Sequence, residues 1–108
     1  MPKIDMPQGA LALLILRVLR SGPLHGYAIA QRISRVSGDM LRVEEGSLYP
    51  ALQKMLRKGW VRAEWGLSDT KRRVRSYHLT AAGRAQLESE RAAYDHVNRA
   101  IQAVLKLA

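Results

Sequence analysis

The chain has 108 residues, a length that fits one domain with a modest core, and 47% of them are hydrophobic. The absence of cysteine excludes disulfides, thiolate zinc sites and a cysteine nucleophile. The longest apolar run, residues 10–16, is too short for a transmembrane helix, which needs ~20 apolar residues. A helix stop follows where a secretory signal would have its cleavage site, so we expect a cytoplasmic protein with no membrane partner.

The net charge of +9 is unevenly distributed along the chain. Residues 1–80 hold 14 basic and six acidic side chains, whereas residues 81–108 hold four and three. Within residues 54–75, eight basic side chains stand against two acidic ones. Such a local excess suits a polyanion, because each neutralised phosphate releases counterions. A solvated basic face would have the same composition, so the placement of the charges decides between the two interpretations.

A first helix is predicted from about Met6 or Gln8 to Arg20, where the Ser-Gly-Pro sequence of residues 21–23 ends it. Its leucine, isoleucine and valine side chains cover most of the helical circumference. A helix that is apolar nearly all round must be covered on more than one side. Because so short a chain has few elements to do this, we expect a second subunit to cover part of the helix.

A second helix is predicted to begin near His25 or Gly26, with one apolar stripe, and to close at residues 37–38. Residues 41–43 alternate and predict a very short strand. A third helix opens at residues 45–47 and ends at Gly59, and its Pro50 is expected in the first turn, where no N–H partner is needed.

The third helix has two clearly separated faces. At 100° per residue its apolar side chains fall on one arc, formed by Leu48, Ala51, Leu52, Met55 and Leu56. The opposite arc is mainly polar and is formed by Tyr49, Pro50, Gln53, Lys54, Arg57 and Lys58.

A β-hairpin follows the third helix. Residues 60–65 alternate apolar and charged side chains, residues 67–70 have turn composition, and residues 73–79 read as the return strand. Val74 and Tyr77 are both expected to pack, yet they lie on opposite faces of a regular strand. We therefore expect a bulge or an early strand start.

The last predicted helix runs from Ala81 to about Leu107, with Thr80 as its N-cap. About 27 residues would span roughly 40 Å, which is longer than the core of so small a domain needs. Its apolar side chains fit heptad a and d positions, with Glu90 as the one polar residue in the series, at Leu87, Tyr94, Val97, Ile101, Val104 and Ala108. A helix that extends beyond its own core with an apolar stripe indicates a homodimer.

This order of elements is that of a winged helix-turn-helix with an appended dimerisation helix. We expect a mainly α fold with a small β-hairpin, in which residues 1–80 form the DNA-binding domain and residues 81–108 the dimerisation helix, as one compact unit. The third helix would enter the major groove of double-stranded DNA, which is wide enough for one helix.

The predicted DNA contacts lie on the polar arc of the third helix and on the hairpin. Ser47 and Tyr49 can bond phosphates, Gln53 can read adenine, and Lys54 or Arg57 can read guanine or contact the backbone. The hairpin would bring basic side chains to flanking phosphates or into a minor groove, namely Lys71, Arg72, Arg73 and Arg75. Tyr49 could instead simply pack at the start of its helix.

The sequence also bears on two other classes of function. An enzyme would need convergent catalytic groups, but His25, His78 and His96 are scattered singly and no catalytic motif is present. We expect no enzyme activity, no metal and no cofactor. A winged-helix module that binds structured RNA or a protein partner remains the alternative, since a basic face alone does not distinguish duplex DNA from RNA.

Four ordered motifs closely resemble the PadR family of transcriptional regulators. They are Leu-His-Gly-Tyr at residues 24–27, Gly-Ser-Leu-Tyr-Pro-Ala-Leu at residues 46–52, Gly-Trp-Val at residues 59–61 and Tyr-His-Leu-Thr-Ala-Ala-Gly-Arg at residues 77–84. The resemblance covers roughly residues 9–87, and the second motif is its most specific part. The single C-terminal helix is similar to the short form of the family.

The resemblance implies a dimeric repressor that binds inverted-repeat operators and is released by a small ligand or another signal. It implies that Tyr27 and Tyr49 touch the DNA backbone, that residues 47–57, including Pro50, form the recognition helix, and that the last helix dimerises with help from the first. The expected dimer residues are Leu14, Val18, Leu87, Tyr94, Val97, Ile101, Val104 and Leu105. Some short members bind flat hydrophobic compounds at the dimer interface, and the aromatic candidates for such an effector are Trp60, Trp65 and Tyr94. Trp60 and Trp65 could instead anchor the hairpin to the core.

Overall fold

The computed structural model describes residues 4–5 and 9–108. Its elements, in chain order, are β1 (Ile4–Asp5), α1 (Ala10–Arg20), β2 (Leu24–His25), α2 (Gly26–Val36), β3 (Leu41–Arg42), α3 (Glu45–Lys58), β4 (Val61–Leu67), β5 (Arg73–Leu79) and α4 (Ala81–Leu105). The predicted fold class, mainly helical with a small sheet in winged-helix order, is confirmed.

One hydrophobic core joins the helices to the base of the hairpin. The fully buried apolar side chains come from five elements and from the start of α4, namely Ile15, Leu16, Leu19, Ile29, Ile33, Leu48, Leu52, Met55, Val61, Tyr77 and Leu87. Each of the first three helices places one stripe in this core, as the 3.6-residue periodicity predicts. The core therefore fixes α3 against α1 and α2 and leaves the polar face of α3 outside.

The first helix begins at Ala10, after Gly9, whose φ of 88° is a left-handed conformation that suits glycine. The predicted start at Met6 or Gln8 lies outside the described residues. Leu14 and Val18, on the side of α1 away from the deepest core, are only half-buried.

The sheet contains one strand that sequence periodicity missed. Strand β2 has only two residues and pairs antiparallel with β5, so the sheet has the order β2-β5-β4. The predicted strand at residues 41–43 is present as β3, which pairs in parallel with β1. The Leu24–His25 segment is too short to show an alternation of side chains, whereas residues 41–43 show one.

The hairpin is regular, so the predicted bulge or early strand start is wrong. Every residue pairs in register, from Val61 opposite Leu79 to Leu67 opposite Arg73. Tyr77 faces the core, and Val74 points to the other face near the far end of the hairpin, where it is half-buried. The two side chains need no common face because Val74 lies away from the main core.

Helix α3 begins at Glu45, so Pro50 is its sixth residue and not part of the first turn. The prediction for Pro50 is therefore wrong. In the second turn the proline has no N–H to donate to the carbonyl of Gly46, four residues earlier. Gly46 is exposed, so water can solvate this carbonyl. The predicted end of the helix is confirmed, with Gly59 in the left-handed conformation at φ 75°.

The junction between the hairpin and α4 is closely packed. The Thr80 hydroxyl accepts a hydrogen bond from the Gly83 N–H at 3.0 Å, which confirms the predicted N-cap. Its own proton faces the carbonyl oxygens of Gly59 and Trp60, at 2.6 and 2.9 Å. A Cβ on Gly83 would lie 2.0 Å from the Trp60 carbonyl oxygen and 2.6 Å from Leu79 Cδ1. Gly83, an unfavourable helix residue by propensity alone, is therefore required by the close approach of α4 to the chain.

Only the beginning of α4 packs on the core. Leu87, assigned by the heptad pattern to the dimer seam, is 1% exposed and belongs to the core of its own protomer, so that assignment is corrected. From Arg91 to the end of the chain every residue is exposed. The helix has 25 residues and ends at Leu105, two residues before the predicted end.

We predict that Gly83→Ala destabilises the protein by about 3 kcal/mol, because the added methyl group meets backbone that cannot move away easily. In an unobstructed helix the same change would stabilise by up to ~1 kcal/mol. The free energy of unfolding in urea, measured at one protein concentration, checks this. Gly46→Ala is the matched control, since Gly46 lies in the first turn of α3 and a Cβ there meets nothing within 4 Å. Equal stability of the two variants would contradict the close packing.

Candidate nucleic-acid interface

The predicted division of α3 into two faces is confirmed by burial. Leu48, Leu52 and Met55 are buried, and Ala51 and Leu56 are half-buried. The side chains of the opposite face are all exposed, namely Ser47, Tyr49, Pro50, Gln53, Lys54, Arg57 and Lys58. These seven residues form a surface that we call the α3 face. It offers hydroxyl, amide and cationic groups in a single helical array.

Tyr49 is held against the first turn of α2. A Cβ on Gly26 would lie 2.9 Å from Tyr49 Cε1 and 3.2 Å from its hydroxyl oxygen, so the ring rests directly on the backbone of Gly26. Tyr49 is nevertheless 41% exposed, and Tyr27, the neighbour of Gly26, is 59% exposed. Both interpretations of Tyr49 from the sequence therefore have support: the ring packs, and part of it remains at the surface.

The turn of the hairpin is ordered by its own hydrogen bonds. The Ser68 N–H donates to the Arg72 carbonyl at 2.8 Å, and the Arg72 N–H donates to the Ser68 hydroxyl at 3.1 Å. The Lys71 N–H donates to the Ser68 carbonyl at 2.9 Å, and Lys71 itself has a left-handed φ of 61°. The exposed Lys71 and Arg72 side chains are thus carried by a closed turn instead of an open loop.

Trp65 lies near the tip of the hairpin, and the suggestion that it anchors the hairpin to the core is wrong. It is 59% exposed, whereas Trp60 is half-buried and packs against the core. The Arg73 guanidinium carbon lies 4.6 Å from the centre of the Trp65 ring. That of Arg75 lies 5.9 Å from Trp65 and 5.8 Å from Tyr77, and Arg75 is half-buried. Trp65 therefore contacts cations, which an aromatic face attracts.

The opposite face of the hairpin is close to neutral. Glu64 accepts a hydrogen bond from Arg62 and lies 3.5 Å from Nε2 of His78. The hydrogen bond and charge of Arg62, with a smaller contribution from His78, hold the pKa of Glu64 below its usual value. Because side chains alternate along a strand, these three residues point away from Trp65. The unpaired positive charge of the hairpin lies on the Trp65 side and at the turn.

A sequence profile of the Transcriptional regulator PadR-like family matches residues 15–89, well over half of the chain. The chain belongs to the PadR-like family of transcriptional regulators. A protein of Mycobacterium tuberculosis named as a transcriptional regulator is 32% identical over 97 residues, which are 90% of this chain and 87% of that protein. The negative transcriptional regulator PadR of Bacillus subtilis is 30% identical over 73 residues, 68% of this chain.

Some relatives are much longer than the shared segment. The matched residues make up 40% of the Bacillus subtilis PadR protein. They make up 21% of an uncharacterized transposon protein of Streptomyces fradiae, which is 46% identical over 78 residues, 72% of this chain. The likeness to these two proteins therefore concerns the segment that corresponds to most of this chain and not their remaining parts.

Solved structures agree on the fold. A transcriptional regulator of Clostridium thermocellum superposes with a TM-score of 0.84 at 23% identity, covering 92% of this chain and 96% of that one. A PadR-like regulator of Bacillus cereus gives 0.78 at 24% identity, covering 94% and 96%. These structures show the winged-helix fold, whereas the family match and the regulator of Mycobacterium tuberculosis make the chain a transcriptional regulator, and membership of the family implies DNA binding. Of the helices within residues 9–108, none combines the length and apolarity that a bilayer crossing requires.

Two features of this surface were missed by sequence reasoning. The contact between Gly26 and Tyr49 joins two of the quoted motifs, and only the fold brings them together. The stacking of Arg73 on Trp65 depends on the register of the hairpin, which was uncertain from the sequence.

We predict that Gly26→Ala weakens DNA binding roughly tenfold, about 1.4 kcal/mol, with little loss of stability. The added methyl group displaces the Tyr49 ring, which can swing into solvent at small cost but then leaves its position beside α2. Binding to duplex DNA at fixed salt and urea unfolding measure the two effects.

The control is the same change in a Tyr49→Ala background. If Gly26 acts through Tyr49, Gly26→Ala has no further effect on binding once the ring is gone. An undiminished effect in that background would show that the start of α2 acts on DNA directly and not through Tyr49.

Proposed function

We propose that the protein is a cytoplasmic repressor that binds an inverted-repeat operator as a homodimer. A small hydrophobic ligand or another signal would release it from the operator. The observation that carries this proposal is the exposed α3 face beside a hairpin whose positive charge is unpaired on one side. A helix with such a face fits the major groove, and an adjacent basic hairpin fits the flanking backbone.

The proposed contacts divide by chemistry. Tyr27 at the start of α2 and Ser47 and Tyr49 near the start of α3 would bond phosphates, and the exposed Pro50 would lie against the DNA beside them. Farther along the helix Gln53 would read adenine, because a carboxamide matches N6 and N7, and Lys54 or Arg57 would read guanine. The hairpin would add phosphate or minor-groove contacts from Lys71, Arg72, Arg73 and Arg75. Arg75 contributes least in this proposal, since it is half-buried between two aromatic rings.

A second copy of the chain is the proposed cover for α4. Tyr94, Val97 and Ile101 are 53%, 56% and 51% exposed, and Val104 and Leu105 are more exposed still. Tyr94, Val97, Ile101 and Val104 recur at heptad spacing, with Leu105 beside them, on a helix that has left its own core, the pattern of a helix that pairs with another. Leu14 and Val18 of α1, half-buried in the protomer, would complete the interface.

The repressor and effector parts of the proposal have separate support. Repression is taken from the Bacillus subtilis relative, which is named a negative transcriptional regulator. For an effector, a groove of ≈ 300 Å³ lies between α1 and α4 and is lined by Leu13, Leu14, Arg17, Leu87, Arg91, Tyr94 and Asp95. Tyr94 is the aromatic candidate that lines it. Trp60 and Trp65 do not line it, so we leave them out of the proposed effector site.

Selection of bound sequences from random duplex DNA tests the whole proposal. The expected result is enrichment of an inverted repeat whose half-sites lie about 10 base pairs apart, since protein symmetry sets operator symmetry. Tighter binding to a structured RNA than to any selected duplex would support the alternative module instead. Selected sites without two-fold symmetry would overturn the dimeric part of the proposal.

We predict that Lys54→Ala or Arg57→Ala weakens binding to the selected operator by ~1–3 kcal/mol if the side chain reads a base. Binding to random duplex DNA should weaken less. Arg99→Ala, which removes the same charge from the exposed part of α4, is the control and should leave both affinities nearly unchanged. Equal losses on operator and random DNA would reassign the residue to a phosphate contact.

We predict that Ile101→Asp converts the dimer into monomers in analytical ultracentrifugation and lowers operator affinity. A charge at the centre of an apolar seam would lose its hydration without a partner. Ala103→Asp is the matched control, because it introduces the same charge two residues away on the opposite face of α4. A dimer that survives Ile101→Asp would refute the proposed seam.

A further inference from the structure

Trp65 is exposed at a place where the fold does not require an aromatic residue. The hairpin is held to the core at its base by Val61 and Tyr77, which are 2% and 3% exposed. Trp65 lies beyond them and is 59% exposed. Within the protomer the stacked Arg73 and the more distant Arg75 are the cations that lie over its ring. An exposed indole that packs on arginine instead of the core indicates a surface that meets another molecule.

The Trp65 side of the hairpin carries no carboxylate. The residues that share this face in the β4–β5 register are Val61, Ala63, Trp65, Leu67, Arg73, Arg75, Tyr77 and Leu79. Glu64 lies on the other face, where Arg62 and His78 neutralise it, and Asp69 lies in the turn. The face therefore combines a flat apolar ring with fixed positive charge. Such a surface favours a polyanion that also has apolar surface for the ring to contact.

Stacking also fixes how Arg73 can bind. With its guanidinium carbon 4.6 Å from the centre of the ring, Arg73 is held over Trp65, so we expect it to lose less side-chain freedom on binding than an unsupported arginine. A narrow A·T-rich minor groove attracts such an arginine through its strong negative potential. G·C pairs place an amino group in the same groove, which obstructs a close approach.

We propose that Trp65 and Arg73 form one minor-groove contact on the hairpin, in which Trp65 positions the Arg73 guanidinium and packs on the sugar edges of A·T-rich flanks. This inference rests on the proposed DNA-binding function and extends it to a preference for base pairs beside the half-site. It assigns Trp65 to the DNA and not to the effector or the core.

The probes are the operator duplex recovered by selection and the same duplex with its flanking A·T pairs replaced by G·C pairs. At fixed salt, wild-type protein should bind the A·T-flanked duplex about fivefold more tightly. Trp65→Ala should weaken binding to that duplex ~10-fold and abolish the flank preference, whereas Trp65→Phe, which keeps an aromatic face, should lose less than about threefold.

A double-mutant cycle tests the coupling between the two side chains. If Trp65 positions Arg73, each change removes the same contact. The Trp65→Ala/Arg73→Ala variant should then bind the A·T-flanked duplex as tightly as the single variant of lower affinity. Arg62→Ala is the matched charge control, since it removes an arginine from the opposite face of the same hairpin. Independent, additive losses would overturn the positioning role.

Iodide quenching gives a readout that does not depend on affinity. Trp65 is the more exposed of the two tryptophans, so bound DNA should protect its fluorescence from iodide, and Trp65→Phe should remove the protected component. Unchanged quenching, with wild-type affinity in Trp65→Ala, would refute this inference while DNA binding still stands. A loss of dimer mass in Trp65→Ala would also refute it, because Trp65 would then face the second subunit. If wild-type protein binds no duplex, the proposed function itself fails.

Discussion

The structure depends on the contact between the start of α4 and the chain that leaves α3. Thr80 and Gly83 meet the carbonyl groups of Gly59 and Trp60 within about one helical turn, and Gly83 leaves no space for a Cβ. Four elements meet at this place: α3 and β5 end at it, and β4 and α4 begin at it. Because backbone packed on backbone cannot adjust by side-chain rotation, the α3 face, the hairpin and the exposed part of α4 are held in one relative orientation.

Because of this rigidity, the proposed dimer would determine how the two α3 faces are placed relative to each other. If two copies pair along α4, the distance and angle between the two α3 faces follow from the crossing of the paired helices, with little freedom in between. The half-site spacing of an operator would then be set far from the DNA, at the heptad positions around Ile101. The proposed pairing would also bury the apolar stripe that α4 carries beyond Arg91, where the core of the protomer no longer covers it.

The sequence predicted those features that depend on local periodicity and capping. The two faces of α3, the Thr80 cap and the Gly59 end of the helix all follow from neighbouring residues and were confirmed. The predictions were wrong where residues distant in the sequence determine the environment of a side chain. A heptad pattern cannot show that Leu87 is already covered by its own core, and hydrophobicity alone cannot show that Trp65 lies beyond it. Likewise, the bulge was inferred from the assumption that Val74 and Tyr77 share one core, which the regular register of the hairpin contradicts.

The groove between α1 and α4 offers a physical route for the proposed release from DNA. A ligand there would touch neither the α3 face nor the hairpin, so it could act only by binding one arrangement of the helices more tightly than another. The junction at Gly83 resists bending within a protomer, and an exposed ion pair at 3.6 Å between Arg20 and Glu88 adds little to the contact of α1 with α4. The more yielding element would be the pairing of the two α4 helices. A small change in their crossing angle would move both α3 faces out of register with successive major grooves. A shift of about 1.4 kcal/mol in that equilibrium would change the affinity for DNA tenfold.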